Sequence, residues 1–230
     1  MSQLRFLRAP TVVEEFIKRR DEFFKNLIAE KKLQAYFVNS NLAIAVFSAV
    51  YGATMGFYAG GLQIIYDAIK VPLLLLISVY ITVPSYYVLG SLLGGKTTLR
   101  QMVVLLLSGL TVMSVVLLAF VPVNVFFILT TANTTDPTYA FLVLLNIVIF
   151  ALAGLFALVY WLKGFMKVYS GAEWIFAFLI GSVIFMFVGT QLAWVLRPYF
   201  HYYPEFIRPL EKNFYVAVIE LILRLLRGRY

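Results

Sequence analysis

The sequence predicts an all-α, polytopic helical membrane protein with about five transmembrane helices and an amphipathic helix at each end. Three observations carry this. The 230-residue chain is 62% hydrophobic and only 13% charged, with a mean hydropathy of +0.90, whereas a soluble domain is roughly half apolar and about a quarter charged. Its apolar residues gather into runs long enough to cross about 30 Å of hydrocarbon at about 1.5 Å per residue. Its charges fall in two end segments and a few loops, which leaves no separate soluble domain.

Residues 1–40 read as a basic amphipathic arm. Pro10 and Thr11, with Glu14 three residues on, have the pattern of a capping box. Val13, Phe16, Ile17, Phe24, Leu27 and Ile28 recur at helical spacing, with Lys18, Arg19, Lys25 and Lys31 on other faces. Such a helix either lies on the membrane surface or packs on the protein's own cytoplasmic loops. "MSQLRFLRAPTVVEEF" lacks the apolar region and cleavage site of a signal peptide.

A transmembrane domain over 41–197 follows, with spans expected near 41–60, 71–93, 101–122, 140–162 and 174–196. The third run continues through "VPVNVFFILTT", where Pro122 and Asn124 mark a kink or a short re-entrant piece. Residues 198–230 form an aromatic and amphipathic tail. Its apolar stretch contains Glu220 and meets Arg224 too soon to span, so it reads as an interfacial helix with those two paired at i,i+4. Placing the N-terminus inside puts twelve Lys and Arg on the inner side and seven on the outer. The short loops agree with that orientation, and the basic tail does not.

The absence of Cys and the single His remove thiolate chemistry, disulfides, Cys-ligated metals and His-rich metal or haem sites, and no cofactor is expected. A charge of +8 concentrated near the ends suits anionic lipid headgroups, with no nucleic-acid motif beside it. Hydrolysis would need a nucleophile with a base, or paired carboxylates. His201, inside "YFHYY", reads as an interfacial residue instead.

The clearest packing signal is Ser48, Gly52, Gly56 and Gly60 at every fourth residue, with Ala45, Ala49 and Ala53 on the next ridge. Small residues so spaced let two helix backbones approach closely, within the chain or between copies. Gly90 with Gly94 and Ala153 with Ala157 repeat the device more weakly. Asp67 and Lys70 lie in the segment expected to link the first two spans, just before Pro72 starts the second helix. They read as a solvated interfacial pair, with an ion or proton site as the sharper alternative. Pro84 kinks the second span, with Thr82 and Ser85 available to satisfy freed groups. Asn124, Asn146 and Gln191 each need a hydrogen-bond partner at depth and can join helices.

At the end of the last span, Gln191, Trp194 and Pro198 share a stripe. Arg197 can reach headgroups or cap the final carbonyls, and Trp194 with Tyr199, Tyr202 and Tyr203 suits an aromatic belt. "FVGTQLAWVLRPYF", with its GTQxxWxLRP block, stands beside "YGATMGFYAGGLQIIYDAIKVPLLLLISVYITVPSYYVLGSLLGG" and "LLNIVIFALAGLFAL". Over about residues 50 to 215 these phrases resemble a group of prokaryotic multi-span membrane proteins that brings no assigned reaction. The span count and charged arm also resemble the Yip1-type trafficking proteins, a fold-level analogy.

Together these readings point to a non-enzymatic scaffold or subunit of a membrane complex. It would sit in the cytoplasmic membrane and act through helix association, other membrane proteins or copies of itself, and the lipid surface. A channel or transporter using Asp67, Pro84, Asn124, Asn146, Gln191 and Arg197 is the alternative. A lipid-modifying enzyme using Asp67 or His201 is a third reading.

Overall fold

The computed structural model describes residues 9–131, 136–169, 171–172 and 174–198, together with 206, 216, 219 and 223. The described residues are all-helical. In chain order they form α1 (Ala9–Ile17), α2 (Arg20–Ile28), α3 (Leu33–Phe57), α4 (Leu62–Leu92), α5 (Leu99–Ala119), α6 (Val121–Thr130), α7 (Asp136–Val168) and α8 (Trp174–Leu196). Five stretches are long and apolar enough to cross a membrane: α3, α4, α5 continued by α6, α7 from Tyr139, and α8. The protein has the architecture of a multi-pass helical membrane protein.

Helices α3, α4 and α5 form the centre, α7 docks on α5, and α8 docks on α4. The contact of α3 with α4 is set by the small-residue ladder. A Cβ at Gly56 would lie 2.5 Å from the Gln63 carbonyl oxygen, and one at Gly52 would lie 2.8 Å from the Asp67 carbonyl carbon. Each glycine therefore rests directly on the backbone of α4, and Ser48 continues the buried stripe. The ladder is used within the chain. Gly60 departs from it: with φ +72 and open space around it, it belongs to the turn after α3.

Bulky rings in glycine notches make the other contacts. Trp161 of α7 lies against Gly109 of α5, and its Nε1 donates to the Leu106 carbonyl at 2.9 Å. Tyr86 of α4 lies against Gly181 of α8, its hydroxyl 3.1 Å from Ser182 Oγ. Tyr169 packs on Gly90, whereas Gly94 has φ +82 and sits in the loop beyond α4. Ala153 and Ala157 are fully buried on α7.

Three boundaries move from those the sequence suggests. Helix α3 begins at Leu33, so the arm is shorter than 1–40. Helix α1 is under way at Ala9, which places Thr11 inside it and not at its N-cap. Helix α4 begins at Leu62, ten residues before Pro72, so the expected linker forms its first turns and both Pro72 and Pro84 are interior. Asp67 and Lys70 interrupt the apolar run without interrupting the helix. Residues 121–130 continue the third span after a break at Phe120, as Pro122 requires. The backbone bonds Phe120 N to Val116 O and Asn124 N to Phe120 O carry the ladder across the break.

Glycine replacements separate a notch from an open helix face. Gly52→Ala is expected to cost about 1–3 kcal/mol or more by forcing α3 off α4. Gly154→Ala, where nothing lies within 4 Å of the new Cβ, is expected to be neutral or to stabilise by up to about 1 kcal/mol through helix propensity. Thermal unfolding in detergent ranks the two.

Candidate functional site

The sequence-selected charges of α4 are not solvated. Leu62, Ile65 and Ile69 face outward at 54%, 55% and 46% exposure, while Gln63, Asp67 and Lys70 face inward at 0%, 0% and 1%. The first turns of α4 thus turn their polar stripe to the protein and their apolar side to the lipid, as membrane packing demands. Gln63 Nε2 donates to Asp67 Oδ1 at 2.9 Å. The Lys70 ammonium lies 5.9 Å from the centre of the Tyr66 ring and 5.3 Å from that of Phe206. Those two rings meet edge-on at 5.5 Å. Phe206 of the tail is therefore seated at the start of α4, against the lysine.

The end of α8 lies at the same level. Gly181 and Ser182 stand opposite Tyr86, and a Cβ at Gly189 would lie 3.8 Å from Ser78 Oγ, so α8 runs antiparallel to α4 and its end comes level with Lys70 and Val71. Arg197 closes the helix in a left-handed conformation, φ +40, which costs a non-glycine residue about 1–2 kcal/mol. Its backbone N donates to Ala193 O at 2.9 Å, its Nε donates to Trp194 O at 3.3 Å, and its guanidinium lies 4.1 Å from the Trp194 ring centre. It caps the helix and stacks on the tryptophan. Gln191 departs from expectation. It is half-buried and makes no side-chain hydrogen bond among the described residues, so it does not join helices. His201, Tyr199, Tyr202, Tyr203 and the expected Glu220–Arg224 pair lie outside the described residues. Val216, Ile219 and Leu223 are helical and exposed, at i, i+3 and i+7.

The two asparagines do join helices. Tyr51 OH of α3 donates to Asn146 Oδ1 of α7 at 2.6 Å, and Asn146 Nδ2 donates to Asn124 Oδ1 of α6 at 3.0 Å. Asn124 Nδ2 donates to Thr54 Oγ1 at 2.9 Å, and Thr54 Oγ1 returns to the Tyr51 carbonyl at 2.6 Å. This closed circuit ties three helices together. The second Asn146 donor bond goes to Leu142 O at 3.0 Å. A circuit in which each member is bonded fixes the register of α6 and α7 on α3.

At the opposite end the arm is folded onto the bundle. Phe16, Phe23, Phe24 and Leu27 are buried. Phe16 meets Phe23 at 4.7 Å, Phe23 meets Tyr36 of α3 at 5.1 Å, and Phe24 meets Tyr160 of α7 at 5.7 Å. Burial of such side chains is worth about 1.5–3 kcal/mol each, enough to hold the arm's apolar face on protein. Glu15, also buried, accepts from Tyr36 OH at 2.6 Å and lies 3.5 Å from Lys32 Nζ, while Asn26 Nδ2 donates to Tyr36 OH at 3.0 Å. Lys167 of α7 pairs with Asp21, whose carboxyl is held below the ordinary carboxylate range by that hydrogen bond and charge. Stability from this exposed pair is present above the unfolded value and is lost as pH falls through the depressed one. Its size is small.

Gln101 is the residue that reading the sequence missed. Its Oε1 accepts from Thr98 N at 2.8 Å, completing a capping box for α5. Its Nε2 donates to the Leu27 and Ile28 carbonyls at 3.1 and 3.3 Å, capping the end of α2. The Thr-x-x-Gln at 98–101 was a readable signal for the first role. Nothing local announced the second.

Between the two polar ends the core is apolar and aromatic, built from Ile44, Val79, Tyr86, Leu110, Trp161 and Phe185. Apart from the Tyr86–Ser182 pair, several of its hydroxyls are turned onto their own helices. Ser48 donates to Ile44 O at 2.5 Å, Ser78 to Leu74 O at 2.6 Å, Thr111 to Leu107 O at 2.9 Å and Ser114 to Thr111 O at 2.8 Å. Among the described residues no cluster of three His, Asp or Glu side chains gathers that could hold a metal ion. Asn146→Leu strands the Tyr51 hydroxyl and the Asn124 carbonyl and is expected to cost about 1–3 kcal/mol. Gln191→Leu is expected to stay within about 0.5 kcal/mol of wild type, and chemical unfolding in mixed micelles compares them. Scans against protein-family models, curated proteins and solved structures find no match to the chain.

Proposed function

We propose that the protein is a non-enzymatic structural subunit of a membrane complex, a rigid membrane-embedded platform that presents a basic end to its partners. The observation that carries this reading is the use made of polar groups at depth. The asparagine circuit joins helices, the hydroxyls bond their own carbonyls, Glu15 and Gln101 hold the arm, and Lys70 meets the tail at Phe206. Most of the polar groups at depth hold the chain and its own ends, while among the described residues Gln63 Oε1 and Ser40 Oγ are buried without a hydrogen-bond partner. Because the glycine ladder is used internally, association falls to the remaining surfaces, above all the arm end. Lys18, Arg19, Arg20, Lys25, Lys31, Lys32, Lys96, Arg100, Lys163 and Lys167 are all exposed there. That accumulation also supports a cytoplasmic arm end in a cytoplasmic membrane. Crosslinking in native membranes is expected to recover the chain in a complex larger than its own 26.2 kDa. Recovery of the chain alone overturns the reading.

A second reading, a carrier or channel for a small solute or ion, is favoured by one observation: Asp67 and Lys70 are fully buried in a helix at membrane depth. Flux into liposomes holding the purified chain separates the two. The platform reading expects the same leak for wild type, Asp67→Asn and empty liposomes, and a wild-type flux abolished by Asp67→Asn would establish transport.

A further inference from the structure

We infer that the corner where α2 ends and α5 begins is a binding site for the phosphodiester headgroup of an anionic phospholipid. The inference rests on the reading of the arm end as the presenting face and names what one part of that face takes. Two interactions build the corner. Gln101 Nε2 donates to the Leu27 and Ile28 carbonyls, and Thr98 Oγ1 donates to Glu30 Oε1 at 3.0 Å. The Glu30–Thr98 bond joins the two segments at one corner: Lys31 follows Glu30 by one residue, and Lys96 and Arg100 flank Thr98 by two residues on either side. All three cations are exposed, and none is in an ion pair among the described residues. The acids of the arm are engaged elsewhere: Glu14 and Glu22 with Lys18 and Arg19, Asp21 with Lys167, and Glu15 with Tyr36 and Lys32. Glu30 is the one acid at the corner, so a positive excess remains after it is counted.

The apolar neighbours select lipid over an acidic protein surface. Ile28, Leu92 and Leu99 are 51%, 77% and 47% exposed, and they lie within a few residues of the three cations in sequence, at the end of α2, the end of α4 and the start of α5. Cations at phosphate level beside side chains that enter the acyl boundary are what a phospholipid presents a match for. The corner is preorganised by the shared Gln101 caps, so little ordering opposes binding.

Thermal unfolding of the full-length chain in a neutral detergent, with phosphatidylglycerol or phosphatidylcholine added, tests this, alongside native mass spectrometry of retained lipid. Phosphatidylglycerol is expected to raise the midpoint saturably and phosphatidylcholine is not. The triple variant Lys31→Gln/Lys96→Gln/Arg100→Gln is expected to weaken apparent affinity about five-fold per cation removed. Lys25→Gln/Lys163→Gln, elsewhere on the same end, is expected to keep it. Lys31→Arg/Lys96→Arg keeps the charge and should bind, and single Lys96→Gln gives a partial loss if the triple variant does not fold. Equal stabilisation by the two lipids, or equal loss in the triple and control variants, overturns the site. Equal protection by inorganic phosphate assigns the corner to a soluble anion, and protection by poly-glutamate alone assigns it to an acidic protein. Both outcomes contradict the lipid assignment. The assay uses the isolated chain, so its outcome is separate from whether the chain is found in a complex.

Discussion

The backbone of α3 lies directly on the backbone of α4, and the rest of the arrangement depends on that contact. At positions 52 and 56 any side chain would collide with the main chain opposite. In a membrane there is no hydrophobic drive to hold helices together, so contact of this kind supplies what burial supplies in water. It also sets the rotation of α4. Once Gly52 and Gly56 rest on Asp67 and Gln63, the polar stripe of α4 must face inward and its leucine and isoleucine side must face lipid. Tyr51 and Thr54, on the same turns of α3, are left to meet α6 and α7 through the asparagine circuit.

Two polar ends and an apolar middle follow from this frame. At one end the tail meets Lys70 and Tyr66 through Phe206. At the other, aromatic burial and the Glu15–Tyr36 bond fasten the arm. The layer between them is closed by rings seated in glycine notches, with Trp161 on Gly109 and Tyr86 on Gly181. A ring fitted against a bare backbone leaves no room for water, and a hydroxyl bonded to its own helix offers water nothing.

Much of the fold was legible in the sequence because length and composition alone decide a membrane span. The five spans, the small-residue ladder and the need of Asn124 and Asn146 for partners could all be read from residues. The start of α4 could not. Asp67 and Lys70 interrupt a hydropathy run, and only the phase of the helix shows that both fall on the protected stripe. Gln191 misled for the complementary reason: it is half-exposed and lies only five residues before the end of α8, where an amide reaches interfacial water and needs no neighbouring helix. The reach of Gln101 to α2 and the notches at Gly109 and Gly181 were invisible because each is defined by a neighbour distant in sequence, such as Leu27 for the first and Trp161 for Gly109. The arm had two readings, and the aromatic partners that choose between them, Tyr36 and Tyr160, lie on other helices.

A closed apolar layer leaves no water-filled path past Ser48, Ser78 and Ser114, whose hydroxyls bond their own helices. A chain without cysteine permits a direct measurement. Single cysteines placed at Ser48, Ser78 and Ser114 in reconstituted protein would be challenged with a water-soluble thiol reagent, with Lys96→Cys as the exposed reference, because a thiol reacts as its hydrated thiolate. Rapid labelling at 96 and none at the three buried positions is the expected result. Labelling of any of the three at a rate approaching that of position 96 would contradict it.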